Sequence, residues 1–308
     1  MDNRPGHGPP EHGHPEQPSL HHRRGVLDLR TPAVMAIINV TPDSFSDGGR
    51  FSSAEDAVDA CLQALDDGAA VLDLGAESTR PGALPVSDDV QLERLLPVLR
   101  RLRARTDAVV SIDTTSAAVA RGCLEEGADV INDISGLTFD PALARVVAEA
   151  GAGLVVMHTP GRPHEMDRLV DPEADIVAAV RRALGESVAR ATSAGVDRAR
   201  LMVDPGFGFG KDLRQNVELA RDLAQLGSLG LPVLAGVSRK RMVRALAGAH
   251  ARSPGGIEQA NTALHVALLA RGAAMLRVHD VGAAMVAVAV HEALTAGRLP
   301  AAASPAVS

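Results

Sequence analysis

The chain has 308 residues, 46% of them hydrophobic and 22% charged, with a net charge of -7. This is the composition of a globular protein with enough chain for a large core. The acidic balance argues against a nucleic-acid partner, and no apolar run approaches the ~18 residues of a membrane span. The first residues also lack the apolar stretch of a signal peptide. Two cysteines, Cys61 and Cys123, fall in helix-like stretches. They read as small buried hydrophobes in a reducing cytoplasm. There is no Trp or Tyr and there are only five Phe, so Ala, Val, Leu and Ile must build the core. Three of the five, Phe45, Phe207 and Phe209, lie in glycine-rich loops, where an apolar ring needs a pocket or a ligand to cover it. Only two lysines occur, Lys211 and Lys240, each shortly after an apolar run.

Residues 1–24 are rich in Pro, Gly and His and read as a disordered tail, as do residues 299–308 at the other end. Between them, over 25–298, short Val/Ile/Leu-rich runs recur. They are Ala33–Ile38, Ala70–Leu74, Val109–Ile112, Val130–Ile131, Leu154–Met157, Leu201–Val203, Pro232–Ala235 and Met275–Val278. Each has strand length. Amphipathic stretches separate them: Ser53–Asp67, Ser87–Arg105, Ser116–Glu126, Pro141–Ala150, Ala174–Ala194, Gln215–Leu226 and Ile257–Ala270, with Val281–Ala296 after the last strand. Many start with Ser or Pro and acidic residues, as helices do. Gly68, Gly127, Gly151 and Gly195 follow helical runs and suit left-handed caps. Eight strand–helix units predict a single parallel (β/α)8 TIM barrel. An open doubly wound sheet is the competing architecture, but its G-x-G-x-x-G fingerprint does not follow the first strand.

Polar residues sit at or just beyond every predicted strand end: Asn39, Asp73 with Glu77, Asp113, Asn132 with Asp133, His158, Asp204, Ser238, and Arg277 with His279. In a barrel these ends converge on one face, where active sites are built. Any one of them, Asp73 for example, is equally well a helix cap or an Asx turn. Eight in step are not explained that way.

The loops add chemistry. Asn39–Gly49 is long and polar with Phe45 at its tip, which suits a closing lid. Glu77–Gly82 sets hydroxyls beside Arg80, donors for a phosphate oxygen. Asp204–Lys211 resembles a P-loop, but only three residues separate Gly206 from Gly210, and Asp212 follows Lys211. That spacing excludes a Walker A site. Its glycines, flanking Phe207 and Phe209, let a flat ligand approach the backbone. Ser238-Arg239-Lys240-Arg241 reads as a helix start that attracts anions. Strand alternation points Arg277 and His279 the same way, a second anion site.

In this order, the segments Asn39–Gly49, Glu77–Gly82, Ser111–Thr114, Ile131–Ile134, Met157–His158, Asp204–Lys211, Ser238–Lys240 and Arg277–Val281 resemble the dihydropteroate synthases. The resemblance spans residues 33–296. It implies a TIM barrel, usually homodimeric, that joins 6-hydroxymethyl-7,8-dihydropterin diphosphate to 4-aminobenzoate with magnesium. It further implies a pterin set of Asp113, Asn132, Met157, Asp204, Gly208, Lys240 and Arg277. Asn39, Thr79, Arg80, Arg277 and His279 would take the diphosphate, with Asn39 the direct magnesium contact. Phe45, Pro81, Phe209, Ser238 and Arg239 would frame aminobenzoate, whose carboxylate meets the helix start at Ser238. Asp43, Arg80, Lys240, Arg277 and His279 would serve catalysis, Asp43 and Arg80 by ordering the lids. Pyrophosphate leaves readily once neutralised, and an aromatic amine is neutral at pH 7, so a cation-like transition state without a strong base is expected. The rivals are a methyltetrahydrofolate-dependent corrinoid methyltransferase, which needs neither the lid nor the anion sites, and a non-catalytic pterin-binding paralogue.

Overall fold

The computed structural model describes residues 18–40, 54–173 and 175–298. A short antiparallel hairpin, β1 (Ser19–His22) and β2 (Gly25–Asp28), comes first. Eight parallel strands follow: β3 (Ala33–Asn39), β4 (Val71–Gly75), β5 (Val109–Asp113), β6 (Val130–Asp133), β7 (Gly153–Met157), β8 (Leu201–Asp204), β9 (Val233–Ala235) and β10 (Ala273–Val278). They close in chain order, with β10 pairing back onto β3. The helices are α1 (Ala54–Asp66), α2 (Asp88–Arg103), α3 (Ala117–Glu125), α4 (Leu143–Ala150), α5 (Ile176–Ser193), α6 (Leu213–Arg221), α7 (Arg241–Ala247), α8 (Gly256–Leu269) and α9 (Val281–Ala296). The chain is a TIM barrel, and the open-sheet alternative falls.

Local chemistry sets the helix starts. The Ser116, Asp175 and Asp280 side chains accept the backbone N–H groups of Val119, Ala178 and Ala283, and Asp212 with Gln215 forms a reciprocal capping box. Gly151 ends α4 with φ of 62°, a left-handed cap. The strands read as continuous apolar runs because helices bury their outer faces and side chains fill the interior.

That interior is layered with the two-residue period of a strand. Met35, Val71, Val130, Val155, Met202, Leu234 and Met275 form an apolar floor, with Val109 packed against it. Two residues further along those strands stand Ile37, Asp73, Asn132, Met157, Asp204, Gly236, Arg277 and, on β5, Ser111. The next alternate positions hold Asn39, Gly75 and Asp113. A hydrocarbon floor therefore supports a polar upper storey.

Residues 18–24 correct the expected tail. Leu20 is buried in the floor cluster, and Arg24 donates from Nε to Asp129 Oδ1 at 2.6 Å. One apolar peg and one buried carboxylate partner order this segment, although its composition matches the preceding residues. Residues 1–17, the strand-one loop 41–53 and residues 299–308 lie outside the described residues.

Candidate functional site

The polar storey is assembled by strand register. Asn39 pairs with Gly75, Gly75 with Asp113, and Asp113 with Asn132, a continuous row across four strands. Gly75 lies between the two polar ends, since a Cβ there would lie 3.8 Å from Asp113 Oδ2 and 3.9 Å from Asn39 Oδ1, in ordinary contact with both. From β10, Arg277 reaches across to this row. Its Nε donates to Asp73 Oδ2 at 2.7 Å and its NH2 to Asp113 Oδ2 at 2.7 Å. Asn132 Nδ2 donates to the same Asp73 oxygen at 3.2 Å. Across the cup, a Cβ on Gly236 would fall 3.9 Å from Lys240 Nζ, 4.0 Å from Asp204 Oδ2 and 3.7 Å from Arg277 Cβ. Asp113, Asn132, Asp204, Lys240 and Arg277 thus share one interior, as the sequence predicted.

Burial governs the charges here. It pushes the Asp113 carboxyl up to about 7 against the pull of Arg277, with Asp73 and Glu77 adding to the rise. Asp204 is likewise raised by burial, opposed by Lys240 and by the Gly206 N–H, which donates to its Oδ1 at 2.7 Å. Burial lowers Lys240 to about 8, opposed by Asp204. Burial also works against the Arg277 charge, yet Asp73 and Asp113 hold the guanidinium above its usual value. Desolvated acceptors facing desolvated cations, short of full mutual satisfaction, make a site tuned for a polar ligand.

The loop after β8 is held by the chain's two lysines. Lys211 Nζ donates to the carbonyls of Gly206 (2.8 Å), Phe209 (3.0 Å) and His158 (3.4 Å), and Lys240 Nζ donates to Phe207 O. Burial lowers Lys211 to about 7. Gly206 is obligatory: its φ is +69° and a Cβ would sit 2.0 Å from His158 O. Gly208, at φ +77°, lies against the Lys240 stem, 3.1 Å from Cδ to an added Cβ. Phe209 packs with Ile134, Met157 and Met166 in a small cluster at the mouth, with Lys240 Nζ 4.7 Å from its ring centre. Phe207 departs from expectation. It is fully buried in the main core and anchors the loop instead of facing a ligand.

The rim also brings corrections. α7 begins at Arg241 with Lys240 as its cap residue and has only seven residues, so Ser238 does not open a helix. Ser238 Oγ instead accepts the His279 N–H at 3.2 Å and lies 3.1 Å from His279 Nδ1, which ties β9 to β10. Arg239 adopts φ of 59°, and its Nε lies 3.6 Å from Glu258 Oε1 on α8. Asp133 accepts the N–H groups of Ser135 and Leu137, the plain turn role. His158 is half-buried with its Nδ1 enclosed, and desolvation lowers its imidazole to about 3. Arg80 and Pro81 are exposed on the loop after β4, whose Gly82 N–H donates to Pro163 O at 2.9 Å. Thr79 and Glu77 line a small cleft together with Asp113, Ile134, Phe139 and Arg162. Asp43 and Phe45 lie outside the described residues.

Sequence reasoning left Asp73 undecided and did not single out Ile134 or Met166. Asp73 carried a signal, since it is a lone charge between Leu72 and Leu74 in a strand buried throughout. Among the described residues no cluster of three or more His, Cys, Asp or Glu is arranged to hold a metal ion.

Comparison with known proteins converges on one chemistry. Residues 35–279 match the family model described as "Pterin binding enzyme". The chain is 44% identical to the dihydropteroate synthase of Mycobacterium leprae over 271 residues, covering 86% of this chain and 94% of that protein. The Escherichia coli (strain K12) enzyme is 40% identical over 269 residues, covering 87% and 93%. Among solved structures, Xanthomonas albilineans dihydropteroate synthase with 4-aminobenzoic acid superposes with a TM-score of 0.81 at 43% identity, covering 91% of this chain and 99% of that one. The Yersinia pestis dihydropteroate synthase structure with a sulfonamide drug complex gives 0.82 at 38% identity, covering 90% and 99%. A barrel of this topology, with its polar row at the strand ends and such similarity along nearly its whole length, belongs to the dihydropteroate synthase family of pterin-binding enzymes.

Proposed function

We propose that the chain condenses 6-hydroxymethyl-7,8-dihydropterin diphosphate with 4-aminobenzoate, giving 7,8-dihydropteroate and pyrophosphate. The observation that carries this reading is the buried acceptor set Asp113, Asn132 and Asp204 facing Lys240 and Arg277 above an apolar floor. The amino and ring N–H groups of a pterin are donors and call for such acceptors. A ligand lacking them leaves buried carboxylates unpaired, which makes discrimination sharp. Met157 serves as a wall, and Gly208 lets the ring approach the backbone. Lys240 serves the heterocycle's own acceptors.

The diphosphate is assigned to Asn39, Thr79, Arg80, Arg277 and His279. Asn39 at the end of β3 would hold magnesium through its side-chain amide oxygen, beside the substrate's phosphates. When bound, the ion supplies charge neutralisation of the departing pyrophosphate. Arg277 and His279 complete that neutralisation, and the carbon–oxygen bond breaks towards a pterin-stabilised cation. The amine nitrogen of aminobenzoate then attacks, and its surplus proton passes to solvent or the departing phosphate. Phe209 and the Lys240 stem border aminobenzoate with Ser238, Arg239, Pro81 and Phe45, the site at which a sulfonamide would compete.

The working form is a homodimer in the cytoplasm. Val286, Val290 and Leu294 are 57%, 42% and 77% exposed at four-residue intervals along α9, a stripe that a second copy would cover. Cys61 and Cys123 are buried and unpaired, as in a reducing compartment, and among the described residues no helix is long and apolar enough to cross a membrane. Val290→Arg is expected to halve the mass seen by sedimentation. Incubating the purified protein with magnesium and both substrates tests the reaction. Dihydropteroate detected by mass supports the reading, and a folded sample giving no product refutes it.

A further inference from the structure

We infer that Asp73 is the positioning residue of the cup, with a single buried carboxylate oxygen orienting both Arg277 and Asn132 towards the substrate. This rests on the pterin reading of the site and deepens it.

Asp73 has no exposed surface and stands mid-strand on β4, one layer beneath the Asn39–Asp113 row. Its Oδ2 accepts from Arg277 Nε at 2.7 Å and from Asn132 Nδ2 at 3.2 Å. The second bond decides how the Asn132 amide is turned. With Nδ2 committed downward, the carbonyl Oδ1 is the end left to accept from a ligand. A pterin edge made of donors requires that orientation, and a flipped amide would oppose donor to donor. The first bond works with Asp113. Nε on one carboxylate and NH2 on another fix the guanidinium plane from two sides and leave its remaining donors for an anion. Asp73 thus sets an acceptor on one neighbour and a donor on another through one atom.

A role limited to stability fits poorly. The other Asp73 oxygen, Oδ1, is buried without a hydrogen-bond partner among the described residues, as is Oγ of its cross-strand partner Ser111. A carboxylate held only to strengthen the fold would be expected to use both oxygens, because leaving one unpaired in the interior is costly. Asp129 at the opposite end of the barrel does use both.

The test compares wild type with Asp73→Asn and the smaller Asp73→Ser, each first checked for native circular dichroism and cooperative melting. Calorimetry with the dihydropterin diphosphate is expected to show affinity weakened about 30-fold or more in both variants. Turnover per KM for the pterin should fall in parallel, while KM for aminobenzoate at saturating pterin stays within about twofold. In an Arg277→Met, Asn132→Leu background, adding Asp73→Asn should weaken pterin binding less than about threefold, since nothing remains for it to orient. A folded variant that binds pterin within about threefold of wild type overturns the role of Asp73 alone. Equal losses in the two backgrounds overturn it as well. Wild-type protein that takes up no pterin overturns the reading of the cup, and the inference with it.

Discussion

The two ends of the barrel solve the same electrostatic problem in opposite ways. At the closed end, Asp129 precedes β6 and is surrounded by partners. Arg24 donates to both of its oxygens at 2.6 and 2.9 Å, Arg103 donates to Oδ2 at 2.6 Å and Val110 N–H to Oδ2 at 2.9 Å. Although burial opposes its charge, His22, Arg24, Val110 and Arg103 together hold its carboxyl well below the usual range. At the open end, Asp113 and Asp204 have fewer partners and burial prevails, raising both. Satisfied carboxylates stiffen a fold, and carboxylates left short of donors are available for substrate. That contrast separates Asp129 from Asp113 and Asp204, the acids proposed to meet substrate, where burial does not, because all three are buried.

Exchanging partners at either end should break the contrast in different assays. The largest effect is expected at the mouth, where Asp204→Asn should weaken pterin binding by about 100-fold or more while leaving the melting temperature within a few degrees. Calorimetry paired with a thermal scan checks it, and unchanged pterin affinity counts against the assignment. At the floor, Asp129→Leu should do the reverse. Loss of an anion that two arginines surround should cost about 3–5 kcal/mol in denaturant unfolding, with turnover per folded molecule unchanged. His279→Ala should be milder, slowing turnover roughly tenfold with pterin affinity nearly intact, if it serves the departing pyrophosphate as proposed. Rapid-quench measurement of pyrophosphate release separates the two quantities.

The smallest effect is in the pH dependence of stability, and its sign differs between the ends. Asp129 has a lowered folded pKa, so its stabilising contribution is present above the unfolded value near 3.8 and is lost as pH falls through the folded value. Asp113 has a folded pKa raised to about 7, so its contribution is present below the unfolded value and is lost as pH rises from about 4 to about 7. Unfolding curves should therefore show Asp129→Leu relieving the acid-side loss and Asp113→Asn flattening the decline towards neutrality. Identical pH slopes in the two variants would erase the distinction. Pterin affinity should rise over the same interval in which Asp113 ionises.

The barrel itself was legible because its strands are continuous hydrophobic runs and its helices announce their starts. Their position at strand ends, which converge in a barrel, also put Asp113, Asn132, Asp204 and Arg277 at one face. What sequence did not reveal depends on contacts distant along the chain. The hairpin at Ser19–Asp28 is ordered by Asp129, roughly a hundred positions away, while its composition continues that of the preceding tail. Phe207 and Phe209 stand in near-identical glycine surroundings, yet one turns into the core and the other to the mouth, a difference the local residue pattern does not carry. Ser238 has the look of a helix cap, but its hydroxyl accepts from His279, just past the end of β10. Asp73 finds its partners in Asn132 and Arg277, 59 and 204 residues away.

A crystal structure of the protein soaked with dihydropterin diphosphate would test the central claim most directly. The account predicts the bicyclic ring lying over the floor of Met35, Val155, Met202 and Met275, its donors within about 3.2 Å of Asp113, Asn132 and Asp204, and its diphosphate directed towards Asn39 and His279. A ring bound elsewhere, with Asp113, Asn132 and Asp204 keeping only their bonds to Arg277, Asp73 and the Gly206 N–H, would contradict it.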